Sequence, residues 1–245
     1  QHKSVNIFPP PSCILELMKA IDHKITHQYQ TALSMILARL GQSISPLELE
    51  KETPHVFDKD GNDAGSINQH LATWCASQGY KVSLYTFDTH IIDQSWAGLD
   101  RPHIIERLEV SKGGRPAPGL DDIWSDLFRQ AYIDYLHTDG DLMILPYVST
   151  ALLYSLLEKG PVLPAIAFST LYGSGKTDMN DKFDDVNGKS WNHSIVIYGV
   201  DGSGNFLIAD PLKKPGLHTI EPERMIAAIS SAQTECDNLI IQILK

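Results

Sequence analysis

Trp191-Asn192-His193-Ser194-Ile195-Val196-Ile197-Tyr198-Gly199-Val200-Asp201-Gly202-Ser203-Gly204-Asn205-Phe206-Leu207-Ile208-Ala209-Asp210-Pro211 reads as two strands joined by a short turn. Ser194 to Gly199 is rich in β-branched residues, Asp201 to Asn205 is dense in turn formers, and Phe206 to Ala209 resumes an apolar run. With the turn centred near Gly202 or Ser203, opposed residues have numbers summing to about 404 to 406. His193 then faces roughly positions 211 to 213, and Asp210 falls within a diagonal step of it. A carboxylate there can accept Nδ1–H of His193 and leave Nε2 to face a cleft, as hydrolases orient an imidazole base. The competing reading is a polar pair that caps the open end of a hairpin.

Working outward, helical spacing is expected from Ser12 to Ile21, after Pro9-Pro10-Pro11, and from Thr31 to Leu40, stopped by Gly41. Ser45 and Pro46 are the N-cap and first residue of a short helix, and Ser66 is expected to cap a helix over Ile67 to Gln78. Tyr80 to Phe87 alternates as a strand. Thr89 to Asp121 carries the weakest pattern and includes the loop-like Lys112 to Gly119. Asp121 to Leu136 and Thr150 to Lys159 read as helices, Val162 to Phe168 as a strand, Pro222 to Ser230 as a helix and Asn238 to Leu244 as a strand. Helices dominate the first half and strands the second, which points to an α+β fold.

The 245 residues are 42% hydrophobic and 20% charged, and no apolar run approaches the length of a membrane span. A formal charge of −10 with no basic stripe argues against nucleic-acid binding. Cys13, Cys75 and Cys236 are too far apart for a metal motif and form no disulfide framework. No secretory segment follows Gln1, which leaves open whether one was removed. The composition suits a soluble protein, cytoplasmic or exported.

Two motifs fail on inspection. Gly173-Ser174-Gly175-Lys176-Thr177 has the end of a phosphate-binding loop, but Thr170 stands where its first glycine belongs. Asp58 to Asn62 begins like a calcium loop, yet Asp63 and Gln69 replace the glycine and the bidentate glutamate it needs. Asp178, Asp181, Asp184 and Asp185 read as a solvated loop. The histidines form no ligand cluster, so no metal or cofactor is implied.

The order of motifs is the strongest signal. Glu158-Lys159-Gly160-Pro161 leads into Val162 to Ile166; then come Leu171-Tyr172-Gly173, Asn192-His193-Ser194-Ile195-Val196 and Ala209-Asp210-Pro211. This series resembles the bacteriocin-processing, double-glycine-type cysteine peptidases, whose fold is papain-like. Upstream, Thr31-Ala32-Leu33-Ser34-Met35-Ile36-Leu37 is similar to the family's nucleophile helix, and Gly65-Ser66 to its next segment. Ile220 to Ile243 is similar to the closing helix and strand, while residues 88–148 match nothing in the family and stand as an insert.

The resemblance implies a single papain-like domain over 1–245, with N-terminal helices packed on an antiparallel sheet. It assigns His193 as base and Asp210 as its orienter. It does not supply the thiol. Gln28 stands where the family has its cysteine, Tyr29 where it has the following glycine, and Asp22 where it has the oxyanion glutamine. A thiol at a helix start attacks as thiolate, which glutamine cannot do. Cys13, at an expected helix start, is the candidate replacement nucleophile. Ala32 marks a position where relatives often carry a second cysteine, and it also suits an engineered Cys→Ala. Ser34 would sit too far along its helix to serve, and Cys75 reads as core.

The expected activity is therefore cysteine-peptidase-type chemistry on a peptide or amide, with an atypical, lost or engineered-out nucleophile. The alternative is an inactive relative that binds a peptide or partner protein in the same cleft. A small-molecule acyl or amide transferase is a third class. Gln28, Tyr29, Ala32 and Asn192 are the expected cleft-lining residues.

Overall fold

The structure, a computed structural model, describes residues 28–57, 60–61, 63–116, 122–176, 182–188, 190–212, 216–232 and 238–245. The helix expected over Ser12 to Ile21 and part of the loop around Lys112 to Gly119 lie outside them, as do several of the acidic-loop residues.

Helix α1 (Gln28–Arg39) buries most of its length, from Gln30 to Leu37, because its middle is apolar on nearly every side. Gly41 ends it at φ 88°, a left-handed conformation that costs glycine nothing. Helix α2 (Pro46–Glu52) starts with the expected cap. Glu48 N–H donates to Ser45 Oγ at 3.2 Å, and Ser45 N–H donates back to Glu48 Oε2 at 2.9 Å. A small hairpin, β1 (Val56–Phe57) and β2 (Asp63–Gly65), precedes helix α3 (Asn68–Ser77). The N-cap of α3 is Ile67, with no side-chain cap bond, rather than Ser66. Ser66 instead accepts from Gln30 Nε2 at 3.1 Å, so its hydroxyl joins α1 to the start of α3.

The remaining elements are β3 (Lys81–Thr86), α4 (Arg101–Ser111), α5 (Asp122–Leu136), β4 (Asp141–Ile144) and α6 (Thr150–Leu157). They are followed by β5 (Val162–Ala167), α7 (Phe168–Tyr172), β6 (Asn192–Ser194), β7 (Val196–Val200) and β8 (Phe206–Ala209). The chain closes with β9 (Leu217–Ile220), α8 (Pro222–Ser230) and β10 (Leu239–Leu244).

The large sheet runs β4-β3-β10-β5-β7-β8-β9, with β6 also paired to β5. The fold is α+β, but the sheet is mixed rather than antiparallel: β4 lies parallel to β3, with Leu142 beside Leu84. β4 comes from the 88–148 segment, which therefore extends the sheet besides adding α4 and α5. Arg101 fixes this segment. Its guanidinium donates to the carbonyls of Leu136 (3.0 Å), Thr138 and Gly140 (2.8 Å), satisfying carbonyls that the end of α5 would otherwise leave bare.

Strand alternation divides the core into two layers. Val196, Leu163, Ile241 and Ile243 face the α1, α3 and α5 side. Ile197, Ile166, Ile208 and Ile240 face α6 and α8. Gln242, buried in β10, is reconciled with its apolar surroundings by donating to Leu156 O at 2.7 Å.

Candidate active site

The β7–β8 hairpin has the register its turn requires: Val196 opposes Ala209, and Val200 opposes Phe206. Asp201 organises the turn by accepting from Ser203 N (2.8 Å), Asn205 N (2.9 Å) and Asn205 Nδ2 (3.0 Å), while Gly204 takes φ 91°. His193 sits one short strand earlier, on β6, where it opposes Ile166 of β5. Asp210 is the residue directly after β8. Strand pairing alone thus delivers both side chains to one end of the sheet.

His193 Nε2 and Asp210 Oδ1 lie 2.7 Å apart, with side chains 1% and 0% exposed. The expectation that the carboxylate holds Nδ1 is reversed: Nε2 meets Asp210, and Nδ1 meets the Oε1 of Gln28, the first residue of α1. An amide can satisfy Nδ1 in either protonation state of the ring, since its oxygen accepts and its nitrogen donates. Phe168 stands edge-on to the imidazole, ring centres 5.7 Å apart.

Asp210 is saturated. Oδ1 also accepts from Leu212 N at 2.7 Å, and Oδ2 accepts from the Tyr172 hydroxyl. Burial pushes its carboxyl pKa up. The His193 hydrogen bond and charge, with help from Tyr172 and Leu212, outweigh that and hold it below the usual aspartate value. Tyr172 is driven the other way, first by burial and then by the neighbouring Asp210 charge. The ring of His218, on β9, contacts Tyr172 edge-on at 5.6 Å. A continuous path therefore runs His218, Tyr172, Asp210, His193, Gln28.

The other expected residues fall around this path unevenly. Asn192 is buried beside His193. Ser194, on its other side, donates to Asn68 Oδ1 at 3.3 Å. Tyr29 is half-buried against the core. Ala32 is fully buried in the hydrophobic cluster, so the residue of α1 that meets His193 is Gln28. Ser34 is spent on Ile44 O at 2.6 Å. Cys75 is enclosed within α3, and burial pushes its thiol far up, which leaves it unreactive. Cys13, Asp22 and Cys236 lie outside the described residues. Tyr172, Phe168 and Leu212 carry contacts that sequence reasoning did not assign. Leu171-Tyr172-Gly173 was a visible motif, but nothing in it names a partner 38 residues away.

Among the described residues, no group of histidine, cysteine and acidic side chains is arranged to hold a metal ion. No helix among them is long and apolar enough to cross a membrane.

No protein-family model matches the chain, and no curated protein matches it. Among solved structures it is similar to a crystal structure described as a candidate C39-like peptidase from Bacillus anthracis. The two are 12% identical, the match covers 92% of each chain, and the TM-score is 0.45. Overlap this loose assigns neither family nor activity.

Proposed function

We propose that the chain is a cysteine-peptidase-like protein of the bacteriocin-processing, papain-like type that has lost its nucleophile and binds a peptide in the remaining cleft. One observation carries this reading: a carboxamide, that of Gln28, occupies the imidazole nitrogen that a thiol would use. A cysteine–histidine–aspartate arrangement needs a thiol at a helix start against one ring nitrogen and a carboxylate against the other. Here α1, the imidazole and the carboxylate meet, and an amide stands where the reactive thiol would be. An amide nitrogen, its lone pair delocalised, is no nucleophile. The first turn of α1 holds no acidic residue, so its positive end is not neutralised by its own side chains.

The order of sequence motifs supports the same reading, because Gln28 is the residue that their spacing aligns with the family cysteine. A thiol arriving from elsewhere in the chain would have to displace Gln28, since both ring nitrogens of His193 are already engaged.

The test is incubation of the wild-type protein with a mixed peptide library, followed by mass spectrometry and by capture of bound peptide. Uncut peptide, retained weakly by the wild type and more strongly by Gln28→Gly, is the expected result. Cleavage that His193→Ala abolishes would overturn the inactive assignment and restore the active one.

A further inference from the structure

We propose that Gln28 is a tethered occupant of this site: its carboxamide holds the place of a ligand's peptide amide, which enters by displacing it. The inference rests on the reading of the cleft as a peptide-binding site, and adds how that site is closed and what opens it.

His193 is 1% exposed, and its Nε2 is committed to Asp210. Nδ1 is the remaining polar atom of the ring, and Gln28 covers it. The covering group differs in kind from the rest of the path. Asp210 is fixed by strand pairing and three donors, and Tyr172 belongs to a helix packed on the sheet. Gln28 is half-buried and reaches His193 through its side-chain oxygen. Its long side chain loses rotamer freedom to make this contact, and that freedom is regained on release. The imidazole, by contrast, is also held by Asp210 on its Nε2 and by Phe168 edge-on.

Chemistry selects the displacing group. Nδ1 is matched by a planar amide with an oxygen acceptor and a nitrogen donor, and a peptide bond is the same functional group as the Gln28 side chain. A group on so short a leash competes at high effective concentration. The wild-type site is therefore self-occluded, and a free amide meets it only weakly until Gln28 is withdrawn.

The experiment follows the His193 ring resonances by NMR during titration with acetamide, in wild type, Gln28→Gly, Gln28→Ala and Gln28→Glu, with thermal melting to verify folding. In the Gly and Ala variants acetamide should return the His193 signals toward their wild-type positions, saturating at a concentration about tenfold or more below any wild-type response. Gln28→Glu places a charged acceptor on the same leash and should show no response. Folded Gly and Ala variants whose His193 signals ignore acetamide would overturn the proposal, as would a wild-type response of equal strength. His193-dependent alkylation of Gln28→Cys separates the two claims. If that reactivity appears while acetamide fails, occlusion falls and the lost-nucleophile reading stands. If neither appears, both fall.

Discussion

His193–Asp210 and His55–Asp63 are the same chemical pair at the same 2.7 Å separation, and in both the second ring nitrogen is engaged. Their surroundings differ. His55 and Asp63 lie in and beside the β1–β2 hairpin, with side chains 21% and 49% exposed, and the second partner is the nearby Glu50 carbonyl at 2.9 Å. His193 and Asp210 are sealed, and the second partner comes from α1, at the other end of the chain. Distance therefore does not separate the two pairs. Burial and long-range convergence do, because water screens the exposed pair while the buried one depends wholly on its protein partners.

The comparison breaks first at Asp210. Asp210→Ala strands the Tyr172 hydroxyl, the Leu212 amide and one His193 nitrogen, and should cost roughly 3–5 kcal/mol. At the usual scaling for a chain of this size, thermal melting should fall by about 10 °C. A change no larger than that of His55→Ala would show that burial does not separate the two pairs.

Tyr172→Phe is the next test. It removes one hydrogen bond to a buried carboxylate and should cost roughly 1.5–3 kcal/mol, read by denaturant unfolding. A neutral outcome would mean that Tyr172 fills space without holding Asp210.

Acid sharpens the same contrast. Because the folded protein holds the Asp210 carboxyl below its ordinary value, its contribution is complete above about pH 4 and fades as pH falls through the lowered value. Asp210→Asn should flatten that part of the acid-unfolding curve. His55 has the opposite sign. The Asp63 hydrogen bond raises its pKa, so its contribution is full below about pH 6.5 and is lost as pH rises through the elevated value. His55→Ala should give the smallest effect of the set, visible as a slight loss of melting temperature at pH 6 that vanishes at pH 8.5.

The sequence makes some of this legible and hides the rest for physical reasons. The hairpin register was readable because β-branched alternation and the Asp201–Asn205 turn are local signals. Ser45 and Glu48 announce their capping box for the same reason. The sequence pattern does not reveal helix α4, although Asp100 caps it, its Oδ1 accepting from His103 N–H at 3.1 Å. It buries only Ile104 and Leu108, too few apolar residues to write a periodic pattern. β4 is a short edge strand whose pairing depends on β3, far away in sequence. Spacing brought His193 and Asp210 together, but which ring nitrogen meets Asp210 depends on where α1 arrives. The Ser66 hydroxyl reads as a helix cap in the sequence because its partners, Gln30 and Thr53, are tertiary neighbours.

The central claim is that Gln28 occupies the seat of a nucleophile before an intact histidine–aspartate pair. The rate of iodoacetamide alkylation of Gln28→Cys against pH tests it most directly, with His193→Ala as the paired control and the introduced thiol identified by peptide mapping. Reaction that persists well below the ordinary thiol pKa of about 8.5, and that reverts to ordinary behaviour in the control, is the predicted result. An introduced thiol that titrates as a free cysteine, indifferent to His193, would contradict the account.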